Sequence, residues 1–187
     1  MRQHRVEEQV AVILHGPPVT GKSTLSQELQ KRFPGLCRHV SLDEGWTGEH
    51  PFRFRLEERY QDLQVAREPI LIVEVGCGEP PNLDFNGATR GAREWIEVLT
   101  AAERRIIPFL LMLDWNDVVP RLETRHRGDA SLLFCVWQFV GLYTLFQQRH
   151  PLATFDARLG LKEHQINTSQ LNIAQAADEI LRVLQLA

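Results

Sequence analysis

Eight residues, Gly16-Pro17-Pro18-Val19-Thr20-Gly21-Lys22-Ser23, join an apolar run at 10–15 to an amphipathic stretch that starts at Gly21, and Thr24 follows them. They match G-x-x-x-x-G-K-[ST], a loop whose glycines let the backbone wrap close to phosphate oxygens. A strand before it and a helix after it aim successive backbone N–H groups and the positive end of a helix at an anion. The other residue types suit the same task. Lys22 reaches β- and γ-phosphates, and the Ser23 hydroxyl suits Mg²⁺, so ATP and Mg²⁺ are the expected ligands. The set read as nucleotide-binding is Gly16, Pro17, Pro18, Val19, Thr20, Gly21, Lys22, Ser23 and Thr24.

The flanking pattern sets the fold class. Residues 10–15 read as a strand buried on both faces, as in a parallel sheet. From 21 to 33, Leu25 and Leu29 fall on one helical face, and Pro34-Gly35 stops the pattern. Further strands are predicted over 37–42, 69–75 and 105–113, with a weak fifth over 164–168. Helical patterns separate them at about 53–67, 89–103, 117–127, 130–149 and 173–186. Strands alternating with helices predict an α/β three-layer sandwich around a mainly parallel, five-stranded sheet. No linker divides the 187 residues, so one domain over 1–187 is expected.

Composition removes other classes. With 43% hydrophobic and 24% charged residues the chain supports a full core, and no tract is biased enough for disorder or repeats. A net charge of -3 gives no general attraction to nucleic acid or to an anionic membrane. The three cysteines, Cys37, Cys77 and Cys135, have neither metal nor disulfide spacing, and a reducing cytoplasm fits them. Residues 1–9 lack the apolar centre of a signal peptide. The stretch 130–148 carries no formal charge, but its strongly apolar part, 132–146, is shorter than the roughly 20 residues that cross a bilayer. It reads as a buried helix.

A magnesium-side acid is also needed, and two apolar strands end in carboxylates. Asp114 closes Phe109-Leu110-Leu111-Met112-Leu113 and precedes a helix, where capping or helix-start electrostatics accounts for it. Glu74 closes Ile70-Leu71-Ile72-Val73 with no such role, and a carboxylate there is costly to bury without a partner. Ser23 and Glu74 are the expected metal-side pair, with Asp114 the competing acid.

The loop at 16–23, an aspartate after the second strand (Val40-Ser41-Leu42-Asp43), the turn Arg121-x-x-x-Arg125-His126-Arg127-Gly128-Asp129 and the closing segment Ile166-Asn167-Thr168-Ser169-Gln170-Leu171 occur in that order. In these features the chain resembles the small P-loop kinases of the adenylate-kinase-like fold group. Within that group it is similar to the branch of predicted small-molecule kinases, akin to gluconate kinases and polynucleotide kinases. The resemblance implies a P-loop NTPase fold with a lid-like segment near 121–131. It implies that Asp43 accepts the proton of the attacking hydroxyl, with Glu44 the fallback. It also implies that Arg121 stacks on adenine and that Arg125 clamps phosphate, with Arg127 a second candidate clamp. The expected catalytic set is thus Lys22, Asp43, Arg125 and Arg127.

The chain departs from the family pattern at the third strand, where Glu74 stands in place of the more frequent aspartate, and Gly76-x-Gly78 lacks the third glycine of a dinucleotide fingerprint. The region 46–60, where the family binds its acceptor, matches no acceptor signature. The expected activity is transfer of the γ-phosphoryl group of ATP to a hydroxyl or similar group on a small metabolite. Two alternatives stay open: a nucleic acid 5′-end kinase, kept by Arg53, Arg55 and Arg59, and a non-kinase regulatory ATPase. The helix at 132–146 is apolar nearly all round, which predicts a homodimer through it, with burial inside the monomer or a pocket wall as the other outcomes.

Overall fold

The computed structural model describes residues 8–17, 19–42, 52–75, 91–125 and 160–185. Their elements, in chain order, are β1 (Val10–His15), α1 (Lys22–Arg32), β2 (Cys37–Ser41), α2 (Phe52–Val65), β3 (Ile70–Val75), α3 (Gly91–Ala101), β4 (Arg105–Met112), α4 (Trp115–Arg125), β5 (His164–Asn167) and α5 (Ile173–Leu184). The five strands form one sheet in the order β2-β3-β1-β4-β5, and every pairing is parallel. The expected elements among the described residues are all present. Helix α4 begins at Trp115 rather than at 117, because the Asp114 carbonyl accepts a bond from the Asp117 N–H and winds the chain earlier.

All six residues of β1 and of β3 are buried, as central strands covered on both faces require. Alternation along β1 divides the core in two. Val10, Val12 and Leu14 face Leu25 and Leu29 of α1 and Ala176, Ala177 and Ile180 of α5, whereas Ala11 and Ile13 face Leu63 of α2 and Ile96 and Leu99 of α3. Each large aliphatic so buried stabilises the fold by about 1.5–3 kcal/mol relative to exposure. A smaller cluster of Leu113, Val118 and Leu122 seats α4 against Val19 of the Gly16–Ser23 loop.

Two polar devices secure the ends. Asn172 caps α5 through a reciprocal box: its side chain accepts from the Gln175 N–H at 3.0 Å, and its own N–H donates to Gln175 Oε1 at 3.0 Å. At the N-terminal edge of the sheet the Arg104 guanidinium, 4% exposed, donates to the carbonyls of Glu68 and Ala66, each at 3.0 Å. Burial lowers the pKa of Arg104, but its fork ties the α2–β3 connection to the α3–β4 connection. Burial likewise pushes the Cys37 thiol up to about 12. No helix among the described residues is long and apolar enough to cross a membrane. The helix expected at 130–149, and with it the expected dimer surface, lies outside the described residues.

Candidate nucleotide site

The order β2-β3-β1-β4-β5 places β1 in the middle, where successive connections leave toward opposite edges of the sheet. The crevice at the carboxyl ends of such strands is where open α/β sheets bind ligands. The Gly16–Ser23 loop leaves β1 there. Gly16 has φ +140°, and a Cβ on it would lie 2.3 Å from the Leu111 carbonyl oxygen, so this position admits only glycine. Val19, at φ +61°, and Gly21, at φ +91°, make further positive-φ steps, and Gly21 starts α1. Between them Thr20 Oγ1 donates to the Pro17 carbonyl at 2.9 Å, closing the loop on itself.

Helix α1 begins with no side-chain cap and no acidic residue in its first turn. Its first N–H groups and positive dipole end are left for an anion from outside the helix. Lys22, buried, folds its ammonium back over the loop and donates to the carbonyls of Gly16 at 3.0 Å and Pro17 at 3.2 Å. A flexible ammonium held by backbone carbonyls can be redirected to phosphate oxygens without a change of fold.

Glu74 lies level with Leu14 on β1 and Ser41 on β2. Ser23 Oγ donates to Glu74 Oε1 at 2.7 Å, and His39 Nε2 lies 3.1 Å from Glu74 Oε2. Glu74 is 6% exposed. Burial pushes its carboxyl up, but the bonds from His39 and Ser23 and the nearby charge of Lys22 outweigh that and hold it below the ordinary glutamate value. An ionised carboxylate only accepts, so the His39 Nε2 must carry the proton of that contact. The donor set of Ser23 and Glu74 is hard oxygen. No cluster of three His, Cys, Asp or Glu able to hold a metal occurs among the described residues. The oxygen donor set fits Mg²⁺, which is commonly bound through one or two protein oxygens together with substrate phosphates.

Asp114, the competing acid, is placed elsewhere. Its Oδ1 accepts from Asn167 Nδ2 at 2.9 Å and its own N–H donates to Ser169 Oγ at 2.9 Å, which knits the β4–α4 turn to the turn after β5. Arg121 joins that network to the loop: Nη1 donates to Thr168 Oγ1 at 3.1 Å and, more weakly, to the Val19 carbonyl at 3.4 Å, and Nη2 donates to the Thr168 carbonyl. Pro18, Asp43, Glu44 and Arg127 lie outside the described residues, as does the side chain of Arg125 at the end of α4. Arg59, one of the arginines that kept a nucleic acid reading open, forms an ion pair with Asp62 at 3.2 Å, and Asp62 also pairs with Arg38 at 3.0 Å.

Three features of the site escaped the sequence reading. His39 is one, and its only signal is a period-two offset from Ser41. Thr168 is another, visible only as part of the closing segment. The third is the close approach of His15 Nε2 to Glu163 Oε2 at 2.8 Å, both side chains buried, which brings the end of β1 to the residue before β5.

The parallel sheet, with the Gly16–Ser23 loop between β1 and α1, gives this chain an α/β fold of the P-loop type. No protein-family model matches the chain, and no curated protein matches it. Solved structures do. The chain is similar to the YorR protein of Bacillus subtilis in complex with phosphorylated GDP, at 16% identity and TM-score 0.60, covering 95% of this chain and 96% of that one. It is similar to shikimate kinase from Acinetobacter baumannii in complex with shikimate, at 19% identity and TM-score 0.56, over 95% and 93% of the two chains. It is also similar to thymidylate kinase from Candida albicans, at 11% identity and TM-score 0.56, over 95% and 92%. At such identities the likeness is one of fold, and it runs through nearly the whole length of each chain.

Proposed function

We propose that this chain is a kinase that transfers the γ-phosphoryl group of ATP to a hydroxyl or similar acceptor on a small metabolite. The observation that carries the reading is the meeting of Ser23 with Glu74 beside Lys22, at the uncapped start of α1. A buried carboxylate held ionised next to a phosphate loop is what a magnesium nucleotide needs and what a plain anion binder lacks. The likeness to shikimate and thymidylate kinases supports the same class.

The residues divide the work as follows. The loop N–H groups of residues 19–24 bind the phosphates, Pro17 and Pro18 having none to give, and Lys22 leaves the carbonyls of Gly16 and Pro17 to neutralise charge on the β- and γ-phosphates. Ser23 and Glu74 hold Mg²⁺, which when bound offsets phosphate charge as a Lewis acid. Asp43 orients the acceptor hydroxyl and takes its proton, a role a carboxylate fills late in a loose transition state. Arg125 and Arg127 stabilise the transferring oxygens from a lid spanning 121–131, and Arg121 serves the base from its anchorage on Thr168. The chain works as one domain in this reading.

Two measurements test it. Calorimetry should show Mg-ATP affinity falling by roughly tenfold or more in Lys22→Ala, and equal affinity in the two proteins would overturn the site. ATP consumption screened against metabolite hydroxyls and oligonucleotide 5′ ends should single out a small molecule. Turnover on the oligonucleotides alone would reassign the acceptor to nucleic acid.

A further inference from the structure

We propose that His39 is a positioning residue for the magnesium-side acid: its Nε2–H fixes the Glu74 carboxylate by Oε2, so that Oε1 alone is presented beside Ser23. The proposal rests on the reading of Glu74 given above.

The sheet creates the contact. His39 lies opposite Ile72 and Ser41 opposite Glu74 in the β2–β3 register, so residues 39, 41, 72 and 74 share one face. His39 therefore stands one step back along the neighbouring strand, on the diagonal from Glu74, and a long planar side chain spans that diagonal where a short one would not. The same face carries α1, whose first turn supplies Ser23. Glu74 is thus gripped from two directions by residues of different elements, one oxygen each.

The division of the two oxygens is the informative part. A glutamate serving only as a structural ion-pair partner gains most from a cation bridging both oxygens, as a bidentate arginine does. Here one oxygen is taken by an imidazole, a donor that lacks the permanent charge of Lys or Arg and leaves the carboxylate charge available. The other faces a small hydroxyl on the phosphate loop, at 2.7 Å. A glutamate has three side-chain torsions to hold, and a carboxylate that must meet a ligand at one oxygen is normally fixed through the other. With its side chain 22% exposed, His39 reaches this buried carboxylate from the rim of the sheet, on edge strand β2.

The test uses the full chain and a non-hydrolysable ATP analogue, with Mn²⁺ as the probe metal. The quantity measured by calorimetry is the gain in analogue affinity that Mn²⁺ gives over EDTA. His39→Leu should cut that gain by on the order of tenfold, with analogue affinity in EDTA close to wild type. His39→Gln, whose amide nitrogen can stand where Nε2 stands, should recover most of the gain. A gain within twofold of wild type in His39→Leu, alongside a large loss in Glu74→Gln, would overturn the role of His39 and leave that of Glu74 intact. An undiminished gain in Glu74→Gln would remove the acid assignment and this proposal with it. Should His39→Leu fail to fold, His39→Asn, too short to reach Oε2, makes the same comparison against His39→Gln.

Discussion

Ser23 and Glu74, 51 positions apart in the chain, meet through a 2.7 Å hydrogen bond that joins the first turn of α1 to β3. Groups that serve one ligand lose it together rather than separately. Ser23→Ala and Glu74→Gln should each weaken Mg-ATP binding by roughly tenfold, and the double variant should fall well short of the product of the two. Calorimetric affinities that multiply as independent effects would separate the two residues.

Gly16 and Gly35 both adopt positive φ, yet their surroundings differ. A Cβ at Gly16 would meet the Leu111 carbonyl oxygen at 2.3 Å, whereas one at Gly35 meets nothing within 4 Å. Gly16→Ala should therefore cost about 2 kcal/mol or more and damage nucleotide binding. Gly35→Ala should cost only the left-handed backbone penalty of about 1 kcal/mol. Urea unfolding of the two variants checks the contrast, and equal losses would contradict it.

Arg104 donates to two backbone carbonyls, those of Ala66 and Glu68, in the connection between α2 and β3. Arg104→Ala leaves the Ala66 and Glu68 carbonyls short of a donor and should lower stability by roughly 2–4 kcal/mol. Arg104→Lys should recover less than half of it, because a single ammonium cannot reproduce the planar fork. Chemical denaturation at neutral pH measures both, and full recovery by lysine would show that charge rather than geometry matters.

Cys37 makes a prediction with pH. Its thiol pKa, raised by burial to about 12, lies above the ordinary value of 9.0, so the native state binds the proton more tightly than the unfolded chain. The stability this gives is present below the ordinary thiol value and is lost as pH rises toward about 12. At pH 8 alkylation of Cys37 in the native protein should run roughly a hundredfold or more slower than in denaturant, as read from its peptide by mass spectrometry. Similar rates in the two states would contradict the burial.

The strands and the phosphate loop were legible because they depend on local pattern: apolar runs at 10–15 and 70–73, and glycines where the chain turns sharply. Glu74 was legible as an anomaly, an acid ending four aliphatics. The sequence already favours it over Asp114, and the fold adds that β3 sets Glu74 beside Ser23, whereas Asp114, past the end of β4, bonds to Asn167. His39 was hidden for a related reason. Nothing near residue 39 says that β2 pairs with β3 in the register that sets Ser41 beside Glu74. Arg104 between a helix and a strand looks like any solvated arginine until the carbonyls of 66 and 68 are brought to it. Arg121 was expected from family resemblance as an adenine-stacking group, and its bonds to Thr168 and Val19 add an anchoring role that only tertiary contact reveals.

The strand order also bears on how the protein is made. β1 is synthesised first, but Val10 pairs with Ile70 and Arg105, 60 and 95 positions later. The floor under Gly16 is the carbonyl of Leu111. A nascent chain that has emerged only as far as β3 carries the complete octapeptide yet leaves one edge of β1 open and the loop unsupported. The loop therefore gains its support only when β4 has docked, and the octapeptide does not carry that support with it. A nucleotide added during refolding should act after β4 has docked, as a ligand that locks the finished sheet rather than one that nucleates it.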